Sequence, residues 1–192
     1  MKPEILLLGA GGHCKSVIDV IEQENKFKIA GIIDADSVDI GQSILGYHII
    51  GTDSDLSRLY KKYKYALITV GYIKTPHIRI KLYNLLKKIG YKLPVIISPL
   101  AYVSKHSHIN EGTIIMHHSI VNATAKVGKN SIINTKALIE HDAIIEDNCH
   151  ISTGSIVNGG VHVRENTFYG SNATSKEYIE VDGFIKAGSV VK

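Results

Sequence analysis

From residue 109 onward every sixth residue is Ile109, Ile115, Val121, Val127, Ile133, Ile139, Ile145, Ile151, Val157, Val163 and Tyr169. Four places after each comes Thr113, Ser119, Ala125, Ser131, Ala137, Ala143, Cys149, Ser155, Val161, Thr167 and Ala173, almost all small. A helix repeats every 3.6 residues and a strand every 2, so neither holds such a register over so long a stretch. A solenoid does. Each six-residue unit forms one flat side, with a β-branched residue pointing inward and a small residue filling the tight space beside the corner. Three units make a triangular coil of 18 residues, so residues 103–174 form four coils, a prism roughly 19 Å tall at the usual strand spacing. Each buried Ile or Val contributes on the order of 1.5–3 kcal/mol, and each coil needs its neighbours to bury that surface.

The register is expected to slip by four residues at "SKEY", Ser175 to Tyr178, as an outward loop, and to resume with Ile179, Ile185 and Val191. The last coil is expected to be still open at Lys192, to be covered by a partner or left as a frayed edge.

The front of the chain has a different rhythm. "EILLLGAGGHCKSVIDVIEQ" reads as a strand, a glycine turn and an amphipathic helix. "FKIAGIIDAD" supplies a second strand ending at Asp34, and "YALITVG" a third closing at Gly71. "IRIKLYNLLKKIG" is a helix stopped by Gly90. Alternating strands and helices imply a small parallel sheet covered by helices, a Rossmann-like α/β domain over residues 1–98, followed by the solenoid over 99–192. Glycines 9, 11 and 12 let the backbone approach a phosphate or sugar at a helix N-terminus, and Asp34 can accept hydrogen bonds from a ribose. The dinucleotide fingerprint is incomplete, because Cys14 stands where its third glycine belongs. A nicotinamide site is not expected.

Charge and cysteine content narrow the class. The net charge of +4 is uneven: residues 1–98 hold 14 Lys/Arg against 9 Asp/Glu, and residues 99–192 hold 8 against 9. "KKYKYAL" could attract phosphate or nucleic acid, but a solvated helix end is the simpler reading, and no nucleic-acid partner is expected. The apolar start is too short for a secretory core or a membrane span, and Cys14 and Cys149 lie far apart in no metal-type spacing. A cytoplasmic protein with reduced thiols and no membrane contact is expected.

Residues 18 apart stack in one column, which places the histidines of "LIEHDAIIEDNCHIS". His141 shares its column with Ala123 and Gly159, so space is left beside it. His150 lies half a coil on, at a different side of the triangle. If both serve one site, they come from neighbouring subunits.

The hexapeptide pattern resembles the hexapeptide acyltransferases, whose coils form a left-handed parallel β-helix that assembles as a trimer. Over nearly its full length the chain looks like the PglD/NeuD-type sugar acetyltransferases, which join a small nucleotide-binding domain to this helix. Their His-acid segment is matched by "LIEHD", which implies His141 as catalytic base with Asp142 raising its basicity. Bacillosamine-pathway members carry Glu where Asp142 stands, so Glu140 is a second candidate partner for the ring. The resemblance also implies that His150 contacts acetyl-CoA, together with Gly159, Ser171 and Ala187. "GAGGH" matches the nucleotide-sugar motif and implicates Gly11, Gly12 and His13, with Asp34 and Gly71 as further contacts and Arg79 in a matching "IR" segment.

An imidazole beside a carboxylate suits the chemistry, taking a proton from an amine or hydroxyl as it attacks a thioester. No activated Cys or Ser accompanies it, so direct transfer is expected. The implied enzyme is an acetyl-CoA-dependent N-acetyltransferase of a nucleotide-linked deoxy amino sugar for a bacterial surface glycan. It would be a homotrimer with its sites between subunits and would need no metal. The alternative is O-acetylation of a sialic or related nonulosonic acid. More remote are a zinc hydratase, with ligands drawn from "HSH" at 106 and 108 and "HH" at 117 and 118, and a non-catalytic scaffold.

Overall fold

A computed structural model describes residues 2–35 and 39–192. The chain divides into two compact units, Met1–Gly71 with His77–Pro94, and Tyr72–Pro76 with Val95–Lys192.

The first unit runs β1 (Glu4–Leu8), α1 (Gly12–Glu24), β2 (Lys28–Ile33), β3 (Ser43–Ile44), β4 (Tyr47–Gly51), α2 (Leu56–Leu59), β5 (Tyr65–Ile68) and α3 (His77–Ile89). The sheet order is β3-β4-β2-β1-β5. Strand β1 is interior, so Ile5 to Leu8 are all buried and the segment reads as a continuous apolar run rather than an alternation. Helix α1 turns Cys14, Val17, Ile18, Val20 and Ile21 inward. Helix α3 stops at Gly90, whose φ of 108° lets Tyr91 N–H return to the Leu86 carbonyl at 3.0 Å.

Strands β4, β2, β1 and β5 are parallel, but the sheet is mixed, because β3 pairs antiparallel with β4. The turn of this hairpin is Leu45-Gly46, with φ of 50° and 87°. Two successive left-handed residues suit the twist of a hairpin. Leu in the place usually taken by Asn or Asp hides that turn from a sequence reading.

The second unit is a left-handed parallel β-helix. Its seventeen two-residue strands, from Ile96–Ile97 to Val190–Val191, form three parallel sheets of six, five and six strands. Ile120 pairs with Tyr102 below and Leu138 above, each 18 residues away. The first face turns Tyr102, Ile120, Leu138, Ile156, Thr174 and Val190 outward. The second turns out His108, Lys126, Ile144, His162 and Glu180. The third carries Ile96, Ile114, Ile132, His150, Phe168 and Phe184.

Inside, the Ile/Val column and its small companions are buried as the six-residue pattern requires. At the corners, residue 112 and every sixth residue to 178 have φ between 52° and 71°. Twelve consecutive corners therefore turn through the left-handed region, and seven of them are Gly or Asn, the residues that tolerate it best.

Two sequence expectations need correction. The solenoid starts at Ile96–Ile97, which pair with Ile114–Ile115, one side earlier than Val103. The register also does not slip at Ser175–Tyr178. Val181 pairs with Val163 in the regular spacing, and Tyr178 is an ordinary corner with φ of 53°. The change comes later and is a shortening: Ile185 pairs with Tyr169, 16 residues back, across a turn containing Gly183 at φ 78°. Ile179 misleads the sequence reading because it stands where a small residue usually does, while Val181 is the inward residue, 2% exposed.

Ile133 lies in the middle of the inward column with no exposed surface. Ile133→Ala should destabilise the protein by about 2–5 kcal/mol, read as a lower urea midpoint. A loss under about 1 kcal/mol would contradict close packing of the column.

Candidate active site

Residues 140–143 form the corner between the first and second faces of the β-helix. Asp142 occupies its left-handed position, with φ of 60°. That turn brings the carboxylate back onto the preceding residue, and His141 Nδ1 lies 2.9 Å from Asp142 Oδ2. The pair is open to solvent, with side chains 54% and 58% exposed. Asp142 is held below the usual carboxylate range, first by a hydrogen bond from Thr124 and then by His141. As an ionised acceptor it takes Nδ1–H, which leaves the Nε2 lone pair of a neutral imidazole for another proton.

Glu140, the alternative partner, is engaged elsewhere. Its Oε2 accepts from Asn122 Nδ2 at 2.8 Å and from the His141 backbone N–H at 3.2 Å. The two carboxylates flanking His141 thus each have a tether 18 residues earlier, Asn122 beneath Glu140 and Thr124 beneath Asp142. Below His141 itself is Ala123. Above it, a Cβ added to Gly159 would stand 2.8 Å from both Cε1 and Nε2 of the ring. Gly159 therefore leaves the space the imidazole occupies, and any side chain there would displace the ring.

His150 is in a different setting. It lies on the third face, buried, with Nδ1 donating to the Tyr72 carbonyl at 2.7 Å and Nε2 accepting from Asn134 Nδ2 at 3.1 Å. A carbonyl can only accept, which fixes this tautomer of a neutral ring. The imidazole packs edge-on against Tyr72 and Phe168, at centroid distances of 5.5 and 5.2 Å. The Tyr72 hydroxyl lies 2.6 Å from the Asn148 carbonyl and 3.0 Å from that of Thr167. Tyr72 falls outside the hexapeptide repeat, so spacing cannot reveal it. Thr124 and Asn122, by contrast, could have been found by counting back 18 from Asp142 and Glu140.

Ser171 stands at the corner between the third and first faces, its Oγ 2.9 Å from Ser152 Oγ. The two-residue shortening places exposed Ala187 in the same column, and Gly188 N–H bonds the Ser171 carbonyl at 2.8 Å. The first face therefore separates the Ser171 and Ala187 corner from the His141 and Gly159 corner.

In the first unit, Gly11 is the N-cap of α1 and no side chain caps the helix. A Cβ at Gly11 or Gly12 would meet nothing within 4 Å, so the space over this turn is open. Gly9 differs: with φ of 106° and Val70 against its Cα, it is required by the fold. His13 is half-buried beside Gly71, where an added Cβ would lie 3.4 Å from His13 Cβ. Asp34, just past β2, lines a cavity of about 200 Å³ with Gly9, Asp53, Val70, Ile78 and Lys81. Burial pushes the Asp53 carboxyl up, with Lys81 pulling it the other way. A larger hollow of about 740 Å³ lies at the opposite, amino-terminal ends of the strands, near Lys2, Phe27, Lys28 and Tyr47. Open parallel sheets bind ligands beyond the carboxyl ends of their strands, which makes the smaller cavity the candidate. Arg79 is structural, fully buried and donating to the Ile68 and Val70 carbonyls at 2.9 and 2.7 Å.

Burial pushes the Cys149 thiol up to about 12, and that of Cys14 up as well. Neither is set up as a nucleophile. Among the described residues no three His, Cys, Asp or Glu side chains converge as a metal site, and no helix is long and apolar enough to cross a membrane.

Comparison with known proteins agrees with this architecture. Residues 4–86 match the family model of the PglD N-terminal domain. No relative among curated proteins matches the chain. PerB from Caulobacter crescentus, solved in complex with CoA and GDP-perosamine, is 29% identical over 98% of this chain and 88% of its own, with a TM-score of 0.90. The acetyltransferase domain of PglB from Neisseria gonorrhoeae FA1090 is 28% identical over 100% and 92%, with a TM-score of 0.89. WeeI from Acinetobacter baumannii AYE, 21% identical over 100% and 97% at a TM-score of 0.77, shares the fold. On these matches, residues 4–86 form a PglD-type N-terminal domain, and over nearly its full length the chain is similar to acetyltransferases solved with CoA or acetyl-CoA.

Proposed function

We propose that the protein transfers the acetyl group of acetyl-CoA to the amino group of a nucleotide-linked deoxy amino sugar, with His141 as general base. The observation that carries this reading is the His141–Asp142 pair, in which Asp142 engages Nδ1 and leaves Nε2 without a side-chain partner beside Gly159. As the sugar amine attacks the thioester carbonyl, a C–N bond forms and Nε2 takes the amine proton. The tetrahedral intermediate then collapses, the C–S bond breaks, and the imidazolium returns its proton to the departing CoA sulfur. Ionised Asp142 stabilises the imidazolium between the two steps.

The remaining roles follow from position. The open turn at Gly11 and Gly12, with His13, Asp34 and Gly71, takes the nucleotide and sugar in the first unit. In the relative from Caulobacter crescentus the ligands are CoA and GDP-perosamine, which favours an amino sugar over a sialic acid here. His150, held at both ring nitrogens, serves as a fixed wall of the acetyl-CoA site and not as a second base. Ser171 and Ala187 complete that site from their own corner.

We further propose that the working assembly is a homotrimer with sites between chains. The first face turns Tyr102, Ile120, Leu138, Ile156 and Val190 outward, an apolar stripe along the prism that water disfavours. This stripe also separates the His141 corner from the Ser171 corner. A second chain seated on it would bring its own Ser171 corner to the first chain's His141.

His141→Ala should lower kcat by roughly 10²- to 10⁴-fold while leaving the assembly mass unchanged, measured by thiol release and light scattering. Full activity in this variant would remove His141 as the base. Ile120→Glu combined with Ile156→Glu should release monomers in light scattering and abolish transfer. A monomer that still transfers acetyl groups would contradict sites built between chains.

A further inference from the structure

Thr124 departs from the preference of its position. Of the twelve left-handed corners from 112 to 178 it is the one β-branched residue, at φ 63°. Such residues are disfavoured there because the branched Cβ crowds the following carbonyl. A residue that breaks a local rule invites the question of what offsets it. The hydroxyl supplies the answer, since Thr124 Oγ1 lies 2.6 Å from Asp142 Oδ1. Its single proton has two oxygens within reach, the other being the Ala123 carbonyl, and the ionised carboxylate is the stronger acceptor.

We propose that Thr124 is a positioning residue for the transfer reaction. It pins one carboxylate oxygen of Asp142 so that the other stays on His141 Nδ1. The inference rests on the reading of His141 as base. Its geometric ground is the one-to-one stacking of corners: Thr124, Asp142 and Gly160 form one column, next to Ala123, His141 and Gly159. An aspartate at an exposed corner can rotate about χ1 and χ2 and be satisfied by water. With Oδ1 held from the coil beneath, rotation that would lift Oδ2 off the imidazole breaks a second hydrogen bond as well. The same device operates on the other side of His141, where Asn122 holds Glu140. The "NAT" at 122–124 is thus the seat of the "EHD" at 140–142.

Glycine fits a left-handed corner better than threonine, so Thr124→Gly removes the hydroxyl without adding backbone strain. It should lower kcat roughly three- to tenfold, as expected for loss of a partly exposed hydrogen bond to a charged group, with KM for acetyl-CoA unchanged. Thr124→Ser, which keeps the hydroxyl, should restore most of the rate. Added to Asp142→Asn, Thr124→Gly should cost nothing further, because the tether then has nothing to position. Equal losses from Thr124→Gly in the two backgrounds would overturn the proposal, as would a Thr124→Gly enzyme with normal kcat. If Asp142→Asn alone leaves kcat unchanged, the failure lies instead with the His141–Asp142 base.

Discussion

The structure depends on one constraint, that each coil lies directly on the coil before it. The stacking pairs backbone to backbone every 18 residues and closes the Ile/Val column. It also sets each residue over one at a fixed offset in the coil beneath. No coil buries its apolar side alone, so the column is stable only as a stack. The corner angles serve the same end: a turn through positive φ at each sixth residue keeps the three sides flat and in phase. The geometry of the candidate site is inherited from this scaffold. His141 and Asp142 meet because Asp142 is a corner, His141 has room because Ala123 and Gly159 are its column neighbours, and Asp142 is steadied because Thr124 is the corner beneath.

Much of this could be read from the sequence, for a physical reason. In a solenoid the contact partner of a residue lies at a fixed offset, so the column of His141 and the separation of His150 from it follow from counting. The inward residues Ile115 to Tyr169 were equally legible. What escaped was whatever breaks the period. The register change past Val181 could not be located, because Ile179 and Ile185 offer a false inward pair six residues apart. The β3–β4 hairpin was missed because its turn uses Leu45. Tyr72, which covers His150 and determines its tautomer, comes from outside the repeat altogether. Sequence put Asp142 first and left Glu140 as a second candidate, and the backbone turn at residue 142 distinguishes them.

The two histidines illustrate how environment divides labour between like residues. His141 is exposed, with one ring nitrogen engaged and one open, the arrangement a base needs. His150 has both ring nitrogens engaged and aromatic rings on two sides, which suits a wall. Neither cysteine has the exposure or the electropositive setting that would favour thiolate chemistry. The reading that remains is direct acetyl transfer.

The most direct test of that account is to follow thiol release from acetyl-CoA, with mass spectrometry of the acceptor, across GDP-, UDP- and dTDP-linked 4-amino sugars and free and CMP-linked sialic acids. The account predicts the gain of a single acetyl group on an amino sugar, at nitrogen. Acetylation of a sialic acid alone would contradict it and establish an O-acetyltransferase on the same scaffold.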